Sequence, residues 1–217
     1  MPCWGSQAGG IAAGTATATV DLWQDAAAVL GGGAAPTRLQ ASDRVLALLW
    51  LPGGGIAAGT GARTVDLWPD AAAVQRGGLA PLKLQASRIA VWALLGLAGG
   101  GIAAGMNKTV DVWPDAAAVQ RGGAAPARLQ ASGGVLALLE LPGGGIAAGI
   151  NSKTVNLWAD AAAVQSGGAA PASLQASGSV MALLGRPGGG SAAGTIQATV
   201  EVWPCVTHLR MQACIAS

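Results

Sequence analysis

The chain has 217 residues, of which 52% are hydrophobic and only 10% charged, so most of its surface-forming segments have to be buried against one another. Its 12 basic and 10 acidic side chains leave a net charge of +2 with no run able to track a phosphate backbone, which argues against nucleic acid as a partner. With 35 Gly and 8 Trp but no Phe and no Tyr, the core has to be assembled from Ala, Val, Leu, Ile and Trp.

Residues 1–10 carry neither a basic start nor an apolar stretch, so a secretory leader is not expected. Cys3, Cys205 and Cys214 sit near the two ends in an odd count without framework spacing, which favours a reducing, intracellular setting, cytoplasmic or nuclear. The next feature, TVDLW at 19–23, returns as close variants at 64–68, 109–113, 154–158 and 199–203, a step of 45 residues each time. Around it an apolar LALL run, PGGG, IAAG, a polar turn, PDAAAVQRGGAAP and LQAS recur in fixed order. Such self-similarity predicts a repeat architecture over 1–217, with units centred on 9–50, 51–96, 97–140, 141–185 and 186–217.

Short runs of β-branched and apolar residues between Gly, Pro and Asn predict an all-β chain with four strands per unit. In one copy these are 135–139, 146–149, 154–158 and 172–175, joined by Pro142 and Gly143 and then by Asn151 and Ser152 as an antiparallel meander. Strands apolar at consecutive positions need cover on both faces, as when one small sheet packs between two others. Residues 70–77, DAAAVQRG, predict a short helical turn with Asp70 as its N-cap and Gly77 as its stop, too short for a parallel crossover. The stretch 89–106 holds 18 residues without a charge, but its central glycines and the charges in equivalent copies favour strand, turn and strand over a membrane span.

The succession LPGGGIAAG, polar turn, TVDLW and a following Asp resembles the WD-repeat family over essentially the whole chain. The resemblance implies a five-repeat β-propeller of four-stranded antiparallel blades, acting as a non-catalytic scaffold for other proteins and monomeric if the ring closes. The first blade lacks an LALL run, so its inner strand is missing unless Cys3 and Trp4 supply it. The pattern departs from the family at Ala131 and Ser132, where a Gly-His pair is usual, and at Ala148, where Ser is usual.

Chemistry-bearing residues are few. The glycine strings at Gly53, Gly55 and Gly59, at Gly99, Gly101 and Gly105, and at Gly143, Gly145 and Gly149 precede strands, not helices, and so predict turns instead of a nucleotide loop. His208 is the single histidine, and with Cys205 and Cys214 it lacks the fourth ligand and paired spacing of a metal site. No enzyme, cofactor or metal is expected. Two acidic series follow the repeat: Asp21, Asp66, Asp111, Asn156 and Glu201, read as partners of Arg38, Lys83 and Arg128, and Asp25, Asp70, Asp115 and Asp160, read as turn caps. Arg63, Lys108, Lys153, Arg76 and Arg121 fall in loops and are the candidate partner-binding residues. A repeat lectin or other small-ligand propeller, or a fragment of a longer repeat protein, are the alternative readings.

Overall fold

The computed structural model describes residues 4–7, 10–23, 35–70, 74–75, 80–88, 90–115, 119, 125–166, 171–185 and 190–203. Among them the chain is all-β, its sheets antiparallel and including one curled half-barrel. The first sheet is β1 (Trp4–Gln7), β2 (Gly10–Gly14), β3 (Thr19–Trp23) and β4 (Thr37–Gln40), paired in that order. Residues 4–7 therefore do supply the inner strand that the missing LALL run left in question, with Trp4 registered opposite Ala13. The second sheet repeats the arrangement as β5 (Val45–Trp50), β6 (Gly54–Thr60), β7 (Thr64–Asp70) and β8 (Leu82–Gln85).

The third and fourth copies are continuous with one another. β9 (Ala93–Gly96), β10 (Gly100–Gly105) and β11 (Asn107–Asp115) pair onto the first half of β12 (Ala127–Leu141). The second half of β12 then pairs with β13 (Gly144–Ile150), followed by β14 (Thr154–Asp160) and β15 (Ala172–Gln175). Where other copies have a link between units, this strand continues through Gly133 and Gly134. A Cβ at Gly133 would lie 2.8 Å from Asn151 Oδ1, and one at Gly134 2.9 Å from the Trp92 ring, so a side chain at either place would displace a neighbour. The last sheet is β16 (Val180–Gly185), β17 (Ser191–Thr195) and β18 (Val200–Trp203). The fourth strand suggested by residues 210–213 falls outside the described residues.

No helix among the described residues is long and apolar enough to cross a membrane. The uncharged stretch 89–106 contains the hairpin of β9 and β10. The one helix with described bounds is α1 (Ala161–Ser166), whose Ala163 N–H donates to Asp160 Oδ1 at 2.9 Å, the cap predicted for this acidic series. This segment contributes to packing, because Val164 and its counterpart Val119 are buried in the inter-sheet cores.

Burial shows how the sheets stack. In β7, β11 and β14 the TVDLW positions are buried on both faces, whereas in β3 and β18 they alternate. Val65, Leu67 and Leu84 of the second sheet share a core with Ile102, Ala104 and Trp113 of the third. The same combination joins the first sheet to the second through Val20, Leu22 and Leu39 against Ile56, Ala58 and Trp68. It joins the third to the fourth through Val110, Val112 and Leu129 against Ile146, Ala148 and Trp158. The expectation that each central sheet is sandwiched between two others holds.

Glycine has two jobs in this arrangement. Gly53 and Gly143 adopt φ +87° in the hairpin turns, the conformation predicted for them. The last glycine of each string instead lies within a strand. A Cβ on Gly59, Gly105 or Gly149 would come within 2.7, 2.5 and 2.6 Å of Cγ1 of Val91, Val135 and Val180, each entering the next sheet. The missing side chain there lets adjacent sheets close up, so these glycines are packing residues and not turn residues.

Hydroxyl pairs tie the second and third strands together at Thr15 with Thr19, Thr60 with Thr64 and Thr195 with Thr199, at 2.7, 2.9 and 2.6 Å. In the third copy Met106 occupies the place of Thr60, and the buried Thr109 Oγ1 is left without a partner. Thr109→Val should therefore raise stability by up to about 1 kcal/mol, while Thr64→Val should cost about 1 kcal/mol. Urea unfolding midpoints of the two variants check this, and equal losses at both positions would show that the Thr109 hydroxyl is satisfied.

Candidate interaction surface

The acidic series inside the TVDLW strands forms seams between sheets. Asp66, fully buried, accepts the Ser42 hydroxyl at 2.9 Å and the Ser42 backbone N–H. Asp111 is held identically by Ser87, with the hydroxyl at 2.8 Å. Asn156 accepts the Ser132 N–H at 2.8 Å and its hydroxyl at 3.0 Å, and Glu201 accepts the Ser177 N–H at 2.7 Å. Each donor is the serine of LQAS, 24 residues earlier: Ser42, Ser87 and Ser177 lie in the links that follow β4, β8 and β15, and Ser132 lies within β12. The expected cross-strand pairing is present alongside: Arg38 meets Asp21 at 2.8 Å and Arg128 meets Asp111 at 3.5 Å. Lys83 lies opposite Asp66 in register. Sequence reading missed the seam because Ser132 was compared with the family's histidine; the constant spacing of LQAS to the next TVDLW was the available signal.

These carboxylates are thus structural, and the loop cations have to be located separately. Arg63 lies in the turn between β6 and β7, exposed, and its Nη2 donates at 3.0 Å to the carbonyl of Ser87, in the link that follows β8 of the same unit. Lys108 and Lys153 occupy the same place, immediately before the TVDLW threonine, and both are exposed with φ of 60° and 65°. The meander topology puts all three at the same end of successive sheets. Arg44 and Arg88, in the links between units, join that rim: the Arg44 carbonyl accepts the Gly61 N–H at 2.8 Å, and the Arg63–Ser87 bond ends one residue from Arg88. Arg76 and Arg121 lie outside the described residues, as do Cys205, His208 and Cys214.

The opposite end is acidic. Asp70, Asp115 and Asp160 close the third strand of their sheets, and Glu140 approaches the turn between β12 and β13. Between the two ends the segments of β5, β9, β12 and β16 line an open pocket of about 280 Å³ with Leu48, Trp92, Leu94, Leu136, Leu138 and Leu183. Its lining side chains are apolar, and no group of three or more potential metal-binding side chains occurs among the described residues. At the acidic end a cleft of about 400 Å³ runs between Trp50, Leu51, Leu95 and Leu97, with Glu140 at its edge accepting the Ala98 N–H at 3.1 Å.

Glu201 is the seam carboxylate with a resolved titration shift. Ser177, through its hydroxyl first and its backbone N–H second, holds it below the ordinary value of 4.5. A lowered folded-state value means that the carboxylate contributes stability above the unfolded value, and that this is lost as pH falls through the folded one. Carboxyl-resolved NMR should accordingly show Glu201 titrating below 4.5 in the wild type and moving upward in Ser177→Ala. An unchanged titration in the variant would remove the serine as the cause.

No protein-family model matches the chain, and neither does any curated protein.

Proposed function

We propose that the five sheets are the blades of a degenerate WD-like propeller whose inner strands face the open pocket, and that the chain is a non-catalytic scaffold for other proteins. Its docking surface is the rim carrying Arg63, Lys108 and Lys153, and the partner feature it suits is an acidic, extended segment. The observation that carries this reading is the recurrence of an exposed cation at one structural position in three consecutive sheets. Arg44 and Arg88 extend the same rim, where Asp43 beside Arg44 is an acidic exception, while Asp70, Asp115, Glu140 and Asp160 gather at the other end. Charges segregated in this way steer an oppositely charged partner to one end of the molecule. A rigid sheet framework holds the loops in place, so binding need not order them first.

The intracellular setting, cytoplasmic or nuclear, belongs to the same reading and rests on cysteine usage. Docking at the rim does not depend on whether the blades close into a ring.

A fluorescent glutamate-rich peptide serves as the probe. Binding should weaken by about tenfold or more in the triple variant Arg63→Glu, Lys108→Glu, Lys153→Glu, each rim charge contributing a fraction of a kcal/mol to about 1 kcal/mol. Raising the salt should weaken the wild type in parallel. Affinity that is the same for wild type and triple variant would leave these cations a role in solubility alone.

A further inference from the structure

The same two surfaces meet at every junction between successive sheets. A face built from the Val and Leu of TVDLW on one sheet receives a face built from Ile, Ala and Trp on the next. The fourth junction follows the rule, with Val155 and Leu157 against Ala193 and Trp203. A linear stack of such sheets ends in one unused surface of each kind.

Both unused surfaces are visible. On the fifth sheet the register aligns Leu184, Ala192 and Val202 in one row and Ala182, Gly194 and Val200 in the next. Leu184, Val200 and Val202 are 68%, 74% and 52% exposed, whereas Val155 and Leu157, at the same places in the fourth sheet, are 2% and 4% exposed. On the first sheet the opposite face is left over. Ile11 lies opposite Trp23 and Ala13 opposite Asp21, and all four are partly exposed. Their counterparts Trp68 and Trp158 are 1% exposed, and Asp66 is fully buried under its serine seam. Asp21 is turned to Arg38 instead. The described parts of the first and fifth sheets share no core cluster.

We propose that the occupant of the exposed fifth-sheet face is the first sheet of a second copy of this chain, docked head to tail. The argument is continuity: the chain itself packs these two surfaces together four times, with Val and Leu filling the space beside Ile, Ala and Trp in the first three junctions and Ser191 standing in the place of Ile in the fourth. A second copy presents the complementary face, and a heterologous contact of this type builds a closed ring of copies or a short open chain. The proposal stands on the sheet stacking and is independent of the rim's role.

Light scattering coupled to size exclusion tests it, on the full chain from about 1 to 100 μM, a range that brackets weak self-association. The wild type should rise above 21.0 kDa with concentration. Val202→Glu spoils one end and Ile11→Glu the other. Each variant alone should stay at 21.0 kDa, weakened on the order of a hundredfold by a carboxylate forced into an apolar contact. An equimolar mixture of the two retains one intact junction, so it should form a heterodimer of twice 21.0 kDa and nothing larger. Circular dichroism and a cooperative melt establish that each variant is folded, and Ala13→Lys replaces Ile11→Glu should the latter lose its melt. A wild type fixed at 21.0 kDa throughout would overturn the proposal, whether the ends close within one chain or remain bare. Association that survives in either variant alone, or a mixture of folded variants that stays monomeric, would overturn it as well.

Discussion

Everything in this molecule depends on how one small sheet packs against the next. No sheet is thick enough to hold a core of its own, because its two faces carry mostly Ala, Gly, Val and Leu. Stability therefore lies in the junctions, where each pair of sheets removes two apolar faces from water together. Tryptophan supplies the volume that the absent Phe and Tyr would otherwise provide: Trp68, Trp113 and Trp158 are all buried to within 1%. Alanine in the second strand and glycine at its end supply the opposite quality, a surface low enough for the neighbouring valine to approach. A bulky ring on one side and missing side chains on the other are two halves of one packing solution.

The polar seam follows from that packing. A fully buried carboxylate such as Asp66 or Asp111 is costly unless its oxygens are satisfied, and the hydroxyl and N–H of a serine in the preceding link satisfy them. Each seam thus joins directional bonds to a junction whose apolar part is non-directional. The fourth copy shows that the two halves of a seam vary together. There Asn156 replaces the carboxylate, and Ser173 replaces the basic residue opposite it, accepting the Asn156 Nδ2 at 3.0 Å. Removing a negative charge and its cationic neighbour at once leaves no buried charge unpaired.

How much of this was legible in the sequence divides along the range of the interactions. Local signals worked well: β-branched runs, hairpin glycines and the TVDLW register gave strands and turns in the places where they occur, including the Asp160 cap. The cations before the threonine could be placed on one rim from the repeat alone, since a constant position in a meander is a constant position in space. Contacts between units were harder. LQAS read as the end of a strand, and nothing local in it announces that its serine reaches the next sheet. The last glycine of IAAG read as a turn because glycine usually is one. Its actual constraint is a valine some 30 residues further on, as at Gly59 beneath Val91.

The end sheets show the same dependence from the other side. A stacked array obtains its stability from nearest-neighbour interfaces, and its terminal units commonly present a polar outer face to water. The last sheet here does not follow that pattern. Its sequence TVEVW keeps Val200 and Val202, the two residues that an interior sheet uses for burial, with Leu184, the counterpart of Leu139, beside them. The first sheet likewise keeps Trp23 and Ile11, beside the paired charges of Asp21 and Arg38. Serine, lysine or glutamate at these positions would make finished caps at little cost to the strands. Retaining the interior pattern at both ends gives the array two surfaces with the composition of a core, and the energetics of both ends are set by what covers them.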